Sequence, residues 1–477
     1  MPDQTMLDTP LLRMPLHLLA MVLSRLDNLR SLASAIFTHP SLYAAFEEDR
    51  HRIVRHVIKS EIPPRLMKYA LCTYFASSPS LDRGDLQRIV GFLQDNFGYG
   101  GPLPPDPFSS SIDMHLVSTL SRTHSIVQYF TDDLLRDMLP LVHQHLGLHR
   151  PDHISASPDE VFRIQRAMYR FEIYCNLFRY RYTPAELRRL ETLIEDHFLG
   201  YFSPWVNDQL VCIHHYFERV LSRAFDEVAA HDISWGSQCV SWLAVGGANE
   251  HKQAYLFYGL DFLHKLDQIK TYHQRRELFR SKHQLGQAPR TKHMLGSRFA
   301  NGSIDVMGFI WDEMADWIRD GDYASVSNWW PNNGPDVYGS APFRMWYEGQ
   351  KPLRQPDVIN YDLHSLLRRC GYVLWDHPPE TAPLSDEELQ ERFTEAMRQG
   401  MLEWFSRNVG IKKVNMENSW KERADIYKEG GRGYWSEGDL SRVTWDFSKK
   451  RRDLPPEDHR EDRGRRSEAE NNVANGG

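Results

Sequence analysis

Cysteine is scarce in this sequence, and no enzyme motif stands out in it. The chain of 477 residues holds five cysteines, which are scattered, odd in number and without a Cys-x-x-Cys pair. This distribution argues against a disulfide framework and against a structural zinc site. We therefore expect the cysteines to be small, buried side chains.

Signatures of catalysis and of cofactor binding are also missing. The sequence contains no phosphate-binding loop, dinucleotide fingerprint, nucleophile elbow or kinase signature. Four histidines lie close together, but Pro151 limits any helix there, and no cysteine or carboxylate cluster joins them. They are His143, His145, His149 and His153. The sequence predicts no metal site, no cofactor and no enzymatic activity.

Long apolar runs are absent as well. No stretch approaches the roughly 20 apolar residues that a membrane-spanning helix needs. Arg13, His17 and Arg25 interrupt the apolar stretch near the N-terminus, which lacks a small-residue cleavage site. The formal net charge of -7 is modest for this length and gives no reason to expect nucleic acid. We expect no membrane partner and a cytoplasmic or nuclear location.

Strand patterns are weak, whereas helix starts are clear. No run of alternating β-branched residues appears. Three segments place a hydroxyl residue at a helix cap and a glutamate three residues later, which is the pattern of a capping box. These segments are Ser157–Glu160, Thr183–Glu186 and Ser385–Glu388. The sequence predicts an all-α protein.

The densest pattern lies near the N-terminus. The first helix carries apolar residues at the spacing of one helical face: Pro15, Leu18, Leu19, Val22, Leu23 and Leu26. A second helix follows from Leu29 to Phe37, and a third runs from Leu42 through Val57. So short a trio cannot bury all these side chains within itself, so some must face the rest of the chain or another protein.

Three short pieces of this trio, Met14–Leu19, Val22–Leu26 and Ser41–Tyr43, together resemble the F-box motif of fungal proteins. In that family the helical trio binds the linker subunit of cullin-RING ubiquitin ligases. The resemblance covers less than a tenth of the chain. It implies that the linker subunit would contact Pro15, Leu18, Leu19, Val22, Leu23 and Leu26.

The resemblance implies a non-enzymatic substrate adaptor, with the ubiquitin chemistry carried by partner subunits and with an unidentified protein as the target. Met14 and His17 depart from the family pattern. This leaves an alternative open, a helical scaffold for protein interactions whose degenerate F-box does not engage the ligase. An enzyme with an unrecognised site is a third hypothesis, and it would require a deep pocket lined by several titratable groups.

Composition divides the chain into four predicted segments. Residues 1–60 form the F-box-like trio, 61–300 a helical body, 301–448 a Trp-rich helical and irregular region, and 449–477 a disordered charged tail. Ten of the 13 tryptophans follow residue 300, and two helices are predicted there, at about Asp357–Trp375 and Ser385–Asn408. Within this region, Trp329–Pro335 is either a recognition loop or a packed aromatic cluster.

The segment Lys265–Arg298 is the main local excess of charge. It holds nine basic and two acidic residues, in a chain whose net charge is negative. Four of its cations form a candidate patch for an acidic or phosphate-bearing partner: Arg275, Arg276, Arg280 and Lys282. The alternative is a solvent-exposed helix that balances the acidic remainder of the fold.

Overall fold

Helices dominate the part of the chain that the structure describes, so the predicted all-α class is confirmed. The structure is a computed structural model. The described residues are 10–98, 113–146, 156–179, 184–243, 249–282, 330, 332–350, 365–376, 385–408 and 411–446. Within these ranges, strands are limited to one short hairpin. No helix among them is long and apolar enough to cross a membrane.

The N-terminal segment folds as four helices after a 3₁₀ turn at Pro10–Arg13: α1 Leu16–Leu23, α2 Leu29–Ile36, α3 Pro40–Glu48 and α4 Arg50–Glu61. The predicted third helix is therefore two helices. The chain leaves the helical conformation at Asp49, where φ is -133° and ψ is 32°. The apolar spacing continues across this break, and for that reason the sequence pattern did not show it.

The next helices begin where the sequence offers a cap. Asp85 caps the helix that follows it, and Asp113 caps the long helix after that, each by accepting a hydrogen bond from a backbone N–H. The helices of this part are α5 Pro64–Ser77, α6 Leu86–Phe97, α7 Met114–Leu141, α8 Pro158–Phe178, α9 Pro184–Leu193 and α10 Pro204–His231. Single π-helical turns follow α7 and α9, at Val142–Leu146 and Ile194–Leu199.

Shorter helices make up the rest of the described chain. They are α11 Ile233–Ser237, α12 Glu250–Leu256, α13 Gly259–Gln268, α14 Tyr272–Lys282, α15 Ala341–Gln350, α16 Ser365–Arg369, α17 Asp386–Asn408 and α18 Ile411–Lys428. Strands β1 Gly431–Gly433 and β2 Val443–Trp445 pair antiparallel. Of the helix predicted at about Asp357–Trp375, residues 357–364 lie outside the described residues. The prediction is wrong beyond Arg369, because the chain turns at Gly371 with a φ of +65°.

Two of the three predicted capping boxes are confirmed. The hydroxyl of Ser157 accepts from the N–H of Glu160 at 3.1 Å, and the carboxylate of Glu160 accepts from the N–H of Ser157 at 2.8 Å. Ser385 and Glu388 exchange the same pair of bonds at 3.2 and 2.9 Å. The third box begins at Thr183, which lies outside the described residues.

The chain divides into two compact units. The first comprises Met1–Phe225 and Leu243–Val409, and the second Asp226–Trp242 and Gly410–Gly477. In the first unit, α8 is the central helix: it packs against α5, α7 and α13, and most of its residues are buried. The four segments predicted from composition stay a prediction.

In the second unit, α11 packs against α18 and the hairpin. Arg423 is fully buried, and its guanidinium donates to the carbonyl oxygens of Ala229 and Asp232 at 2.7 and 2.9 Å. Gly236 faces it so closely that an added Cβ would lie 2.4 Å from Nε of Arg423. A glycine is therefore required at this position for α11 and α18 to approach. A small core of Ile233, Trp435 and Val443 completes the unit.

Candidate docking surface

Among the described residues, exposed large apolar side chains are most concentrated near the N-terminus. Seven of them lie between residues 11 and 43, and we call them the N-terminal apolar set: Leu11, Met14, Leu16, Met21, Val22, Phe37 and Tyr43. Phe37 is the most exposed, at 81%. The whole remainder of the described chain exposes six such side chains. Scattered exposed apolar residues are ordinary, whereas a concentration of them marks an interaction site.

The six predicted docking residues do not share one environment. Pro15 and Val22 are exposed, and Leu18 and Leu26 are half-buried. Leu19 and Leu23 are buried, at 0% and 1% exposure. The structure therefore corrects the predicted surface, since these two side chains belong to the interior of the helical assembly.

The packing of α1 explains this division. Leu19 and Leu23 are four residues apart, so they lie on the same side of the helix. Of the N-terminal helices, α1 packs most extensively against α3, whose buried residues are Leu42, Ala45 and Phe46. An eight-residue helix that buries one stripe in this way leaves its other apolar residues on the outside.

A buried carboxylate joins the N-terminal helices to the body. Glu61, at the end of α4, is 7% exposed. Its Oε2 accepts from the backbone N–H of Leu29 at 3.1 Å, and its Oε1 accepts from the hydroxyl of Ser121 on α7 at 2.6 Å. One side chain thus fixes the start of α2 and the first third of α7 relative to each other.

The basic patch predicted from composition lies on α14: Arg275, Arg276, Arg280 and Lys282. Glu277 lies 3.2 Å from Arg280 and 3.8 Å from Arg276, and Arg275 donates to the carbonyl of Ile269 at 3.2 Å. The ammonium of Lys282 lies 5.6 Å from the ring centroid of Tyr258. Each cation is thus engaged by a neighbouring group, and binding of an acidic partner here stays a prediction.

Of the two hypotheses for Trp329–Pro335, a packed aromatic cluster is the one that the structure supports at Trp330 and Asn333. Trp330 is only 3% exposed, and its ring meets that of Trp205 edge-on at 5.6 Å between centroids. Asn333 is equally buried, and its side-chain oxygen accepts from the backbone N–H of Ser203 at 3.0 Å. Trp329 and Pro331 lie outside the described residues.

A buried ion-pair network, which the sequence did not reveal, holds this segment. The carboxylate of Asp336 is fully buried and accepts from Arg163 at 2.6 Å, from Arg166 at 2.5 Å and from Gln209 at 3.1 Å. Burial alone would raise the pKa of Asp336, but the two guanidinium groups outweigh it and lower the pKa. Trp205 donates to the carbonyl of the same residue at 2.6 Å. Because Arg163, Arg166, Gln209 and Trp205 all bond Asp336, the network anchors the segment around Asp336 to α8 and α10.

A second buried pair anchors the following part of the chain. Arg368 lies 3.2 Å from the carboxylate of Asp208 on α10, and the hydroxyl of Tyr372 donates to the same carboxylate. Burial raises the pKa of Tyr372, and Asp208 adds to this effect. The hydroxyl therefore remains a hydrogen-bond donor at neutral pH.

The histidine cluster gives no metal centre within the described ranges. His143 and His145 lie in the π-helical turn after α7, and His149 and His153 lie outside the described residues. Among the described side chains, no group of three potential ligands is suitably placed to hold a metal ion.

Comparisons of this chain with protein-family models, with curated proteins and with solved structures give no match. The F-box-like resemblance therefore stays a prediction from the motif residues. The N-terminal apolar set and the junction of α4 with α7 at Glu61 are the structural observations that bear on a role.

Proposed function

We propose that this chain is a non-enzymatic adaptor whose N-terminal helices bind the linker subunit of a cullin-RING ubiquitin ligase. The observation that supports this most is the N-terminal apolar set, seven exposed large apolar side chains within 33 residues of sequence. The F-box-like motif residues lie in the same stretch. In this proposal an unidentified protein is the target, the ubiquitin chemistry belongs to partner subunits, and the chain acts in the cytoplasm or nucleus.

The energetics favour a partner at this position. Each Å² of apolar surface removed from water contributes about 25 cal/mol, so side chains such as Phe37 and Met21 gain by being covered. Both are more than half exposed in the isolated chain. Amphipathic helices that carry such side chains commonly bind in an apolar groove of another protein. A linker subunit with an apolar groove would cover these exposed side chains.

The proposal is tested by measuring binding of the full-length chain to the purified linker subunit by calorimetry. We expect Met21→Asp combined with Val22→Asp to weaken binding by at least about tenfold, because it places two charges in an apolar interface. Both residues are exposed, so the variant should fold normally. Leu402→Asp is the matched control, since Leu402 is 51% exposed and distant in sequence. Variants of Leu19 or Leu23 are uninformative because these residues are buried.

The outcome separates the adaptor from its alternative. Binding that is lost in the double variant and kept in the Leu402 variant supports the adaptor. Absence of binding by the folded wild-type chain would instead favour a helical scaffold with a degenerate F-box. Burial of Leu19 and Leu23 is the observation that favours this second candidate, because two of the six motif positions are then unavailable to a partner.

A further inference from the structure

A cleft of about 900 Å³ separates α2 from α7. We call it the α2–α7 cleft. On one side it is lined by α2 residues that include Arg30, Ala33 and Ile36, and on the other by α7 residues that include Ser118 and Ser125. Its volume lies within the range of roughly 300 to 1,000 Å³ that is typical of ligand pockets. The N-terminal helices and the body thus meet around an open space.

The buried part of the cleft lining is apolar apart from Glu61, whose two carboxylate oxygens already accept hydrogen bonds from Leu29 and Ser121. Leu32, Phe46 and Val54 belong to it, and each is less than 10% exposed. Ile126 of α7 contributes a further buried apolar side chain. A ligand that fills this part must therefore present apolar groups, because a polar group there would lose its bonds to water without replacement.

The α7 wall, in contrast, is lined by polar groups at helical spacing. Ser118, Ser121, Ser125 and Gln128 recur every three or four residues along one face. The hydroxyls of Ser118 and Ser125 donate to backbone carbonyls of their own helix, which leaves their oxygens able to accept further hydrogen bonds. A peptide backbone can donate N–H groups to such a row. A hydrocarbon chain would cover the same groups without bonding them, at a cost in free energy.

Both rims of the cleft are basic. Arg30 lies on the α2 rim, and none of the described acidic side chains pairs with it. On the opposite rim, Arg122 and Lys265 share the single carboxylate of Asp261. Positive charge on both sides favours a ligand with acidic groups at both ends over an amphiphile with one charged head.

The length of the cleft sets the length of the ligand. The lining of α7 extends from Met114 to Tyr129. At a rise of about 1.5 Å per residue this face is roughly 22 Å long. An extended chain advances about 3.3 Å per residue, so about seven extended residues match the wall.

We infer that the α2–α7 cleft binds an extended segment of a partner protein, with an apolar centre and acidic residues on both flanks. This site is separate from the N-terminal apolar set, so it does not depend on binding of the ligase linker subunit. If the chain is an adaptor, such a segment is the class of target that the cleft would select.

The probe is a fluorescein-labelled peptide with two glutamates on each side of three leucines, titrated with the full-length chain and followed by anisotropy. Ala33→Trp should raise the dissociation constant at least about tenfold, because the indole occupies space in the cleft. Ala33 is exposed, so the larger side chain replaces solvent. Ser34→Trp is the matched control, since Ser34 is exposed on the same helix but does not line the cleft.

Charge is tested by Arg30→Glu against Arg25→Glu, an exposed residue that does not line the cleft. We expect the Arg30 variant to bind the peptide about fivefold more weakly at low salt, with the difference shrinking at high salt. A second peptide, with lysines in place of the glutamates, should bind much more weakly than the first.

Three results would overturn the inference. One is the absence of saturable binding of the acidic peptide to the folded chain. Another is equal binding by the Ala33→Trp and Ser34→Trp variants, which would place the peptide elsewhere. The third is saturable binding of dodecanoate, blocked by Ala33→Trp, without binding of the peptide, which would assign the cleft to a single-headed amphiphile. Linker-subunit binding by the same variants is measured separately, so the two proposals can fail independently.

Discussion

Residues 11–61 and the described part of residues 330–376 are both rich in large apolar side chains, yet the two regions expose them to different extents. The first region exposes the N-terminal apolar set, with Phe37 at 81%. The second buries its described tryptophans, Trp330, Trp346 and Trp375, to 3% exposure or less. The comparison shows that apolar density locates a region of interest without telling whether it faces inward or outward.

Polar residues make the difference between the two regions. Asn332 donates to the carbonyls of Phe97 and Tyr201 at 2.6 and 3.2 Å, and its oxygen accepts from Lys68 at 3.1 Å. The carboxylate of Asp336 accepts further hydrogen bonds from Arg163 and Arg166. An irregular backbone can lie in the interior only when its polar groups find such partners.

The N-terminal helices satisfy their own backbone, so they need no such partners from the body. Each is short and can bury only one stripe of side chains. Besides the bonds of Glu61, this region joins the body through the packing of α4 against α7, and its outer side chains contact solvent. Attachment through α4 leaves the N-terminal apolar set exposed and available to another protein.

The largest expected effect comes from breaking the network that holds the buried region. Asp336→Ala should lower the free energy of unfolding by about 3 to 5 kcal/mol, because it leaves the guanidiniums of Arg163 and Arg166 buried without their shared carboxylate. Urea unfolding followed by circular dichroism measures this loss. The control is Asp159→Ala, which removes an exposed pair with Arg65 and should cost about 1 kcal/mol or less. Similar losses in the two variants would contradict the anchoring role of the network.

Much of the fold could be predicted from local sequence. The capping boxes at Ser157 and Ser385 are one-turn patterns, and the structure contains both. The apolar stripe continues across the break at Asp49, so it does not indicate where the helix axis changes. Local signals report how a helix begins better than where it ends.

The candidate site could be predicted only in part. Spacing correctly groups Leu19 with Leu23, but it does not tell whether their shared face points inward. The bond from Arg166 to Asp336 joins residues 170 positions apart, and no periodicity relates them. The α2–α7 cleft likewise depends on how separate helices are placed, which is a property of tertiary packing.

An intermediate effect is expected where the end of α4 meets the body. His124 on α7 is fully buried, and its Nδ1 is hydrogen-bonded to the hydroxyl of Tyr169 at 2.9 Å. Burial lowers the pKa of His124 to about 4 from its ordinary value of 6.5, and the backbone of Glu61 acts in the opposite direction. Between pH 6.5 and pH 4, His124 is protonated in the unfolded chain but neutral in the folded chain. The free energy of unfolding therefore has its full value above pH 6.5 and declines as the pH falls toward 4.

The decline attributable to His124 should reach about 2 kcal/mol by about pH 5. Urea unfolding of the wild type and of His124→Gln, compared at neutral and mildly acidic pH, measures it. The variant should be less stable at neutral pH but should lose less on acidification. His56→Gln, a change at an exposed histidine, should keep the wild-type pH dependence. An unchanged pH dependence in the His124 variant would show that other groups cause the decline.

The smallest effect on stability is expected at the N-terminal apolar set. Measuring this effect is the most direct test of the contrast between the exposed side chains of residues 11–61 and the buried tryptophans of residues 330–376. Phe37→Ser should change the free energy of unfolding by no more than about 0.5 kcal/mol, because an exposed side chain leaves no cavity. Leu23→Ser, in the buried stripe of α1, should cost several times more. Urea titration of the two variants gives both values. A loss at Phe37 as large as that at Leu23 would mean that this ring stabilises its own chain, and the N-terminal apolar set would no longer be distinguished from the buried tryptophans of residues 330–376.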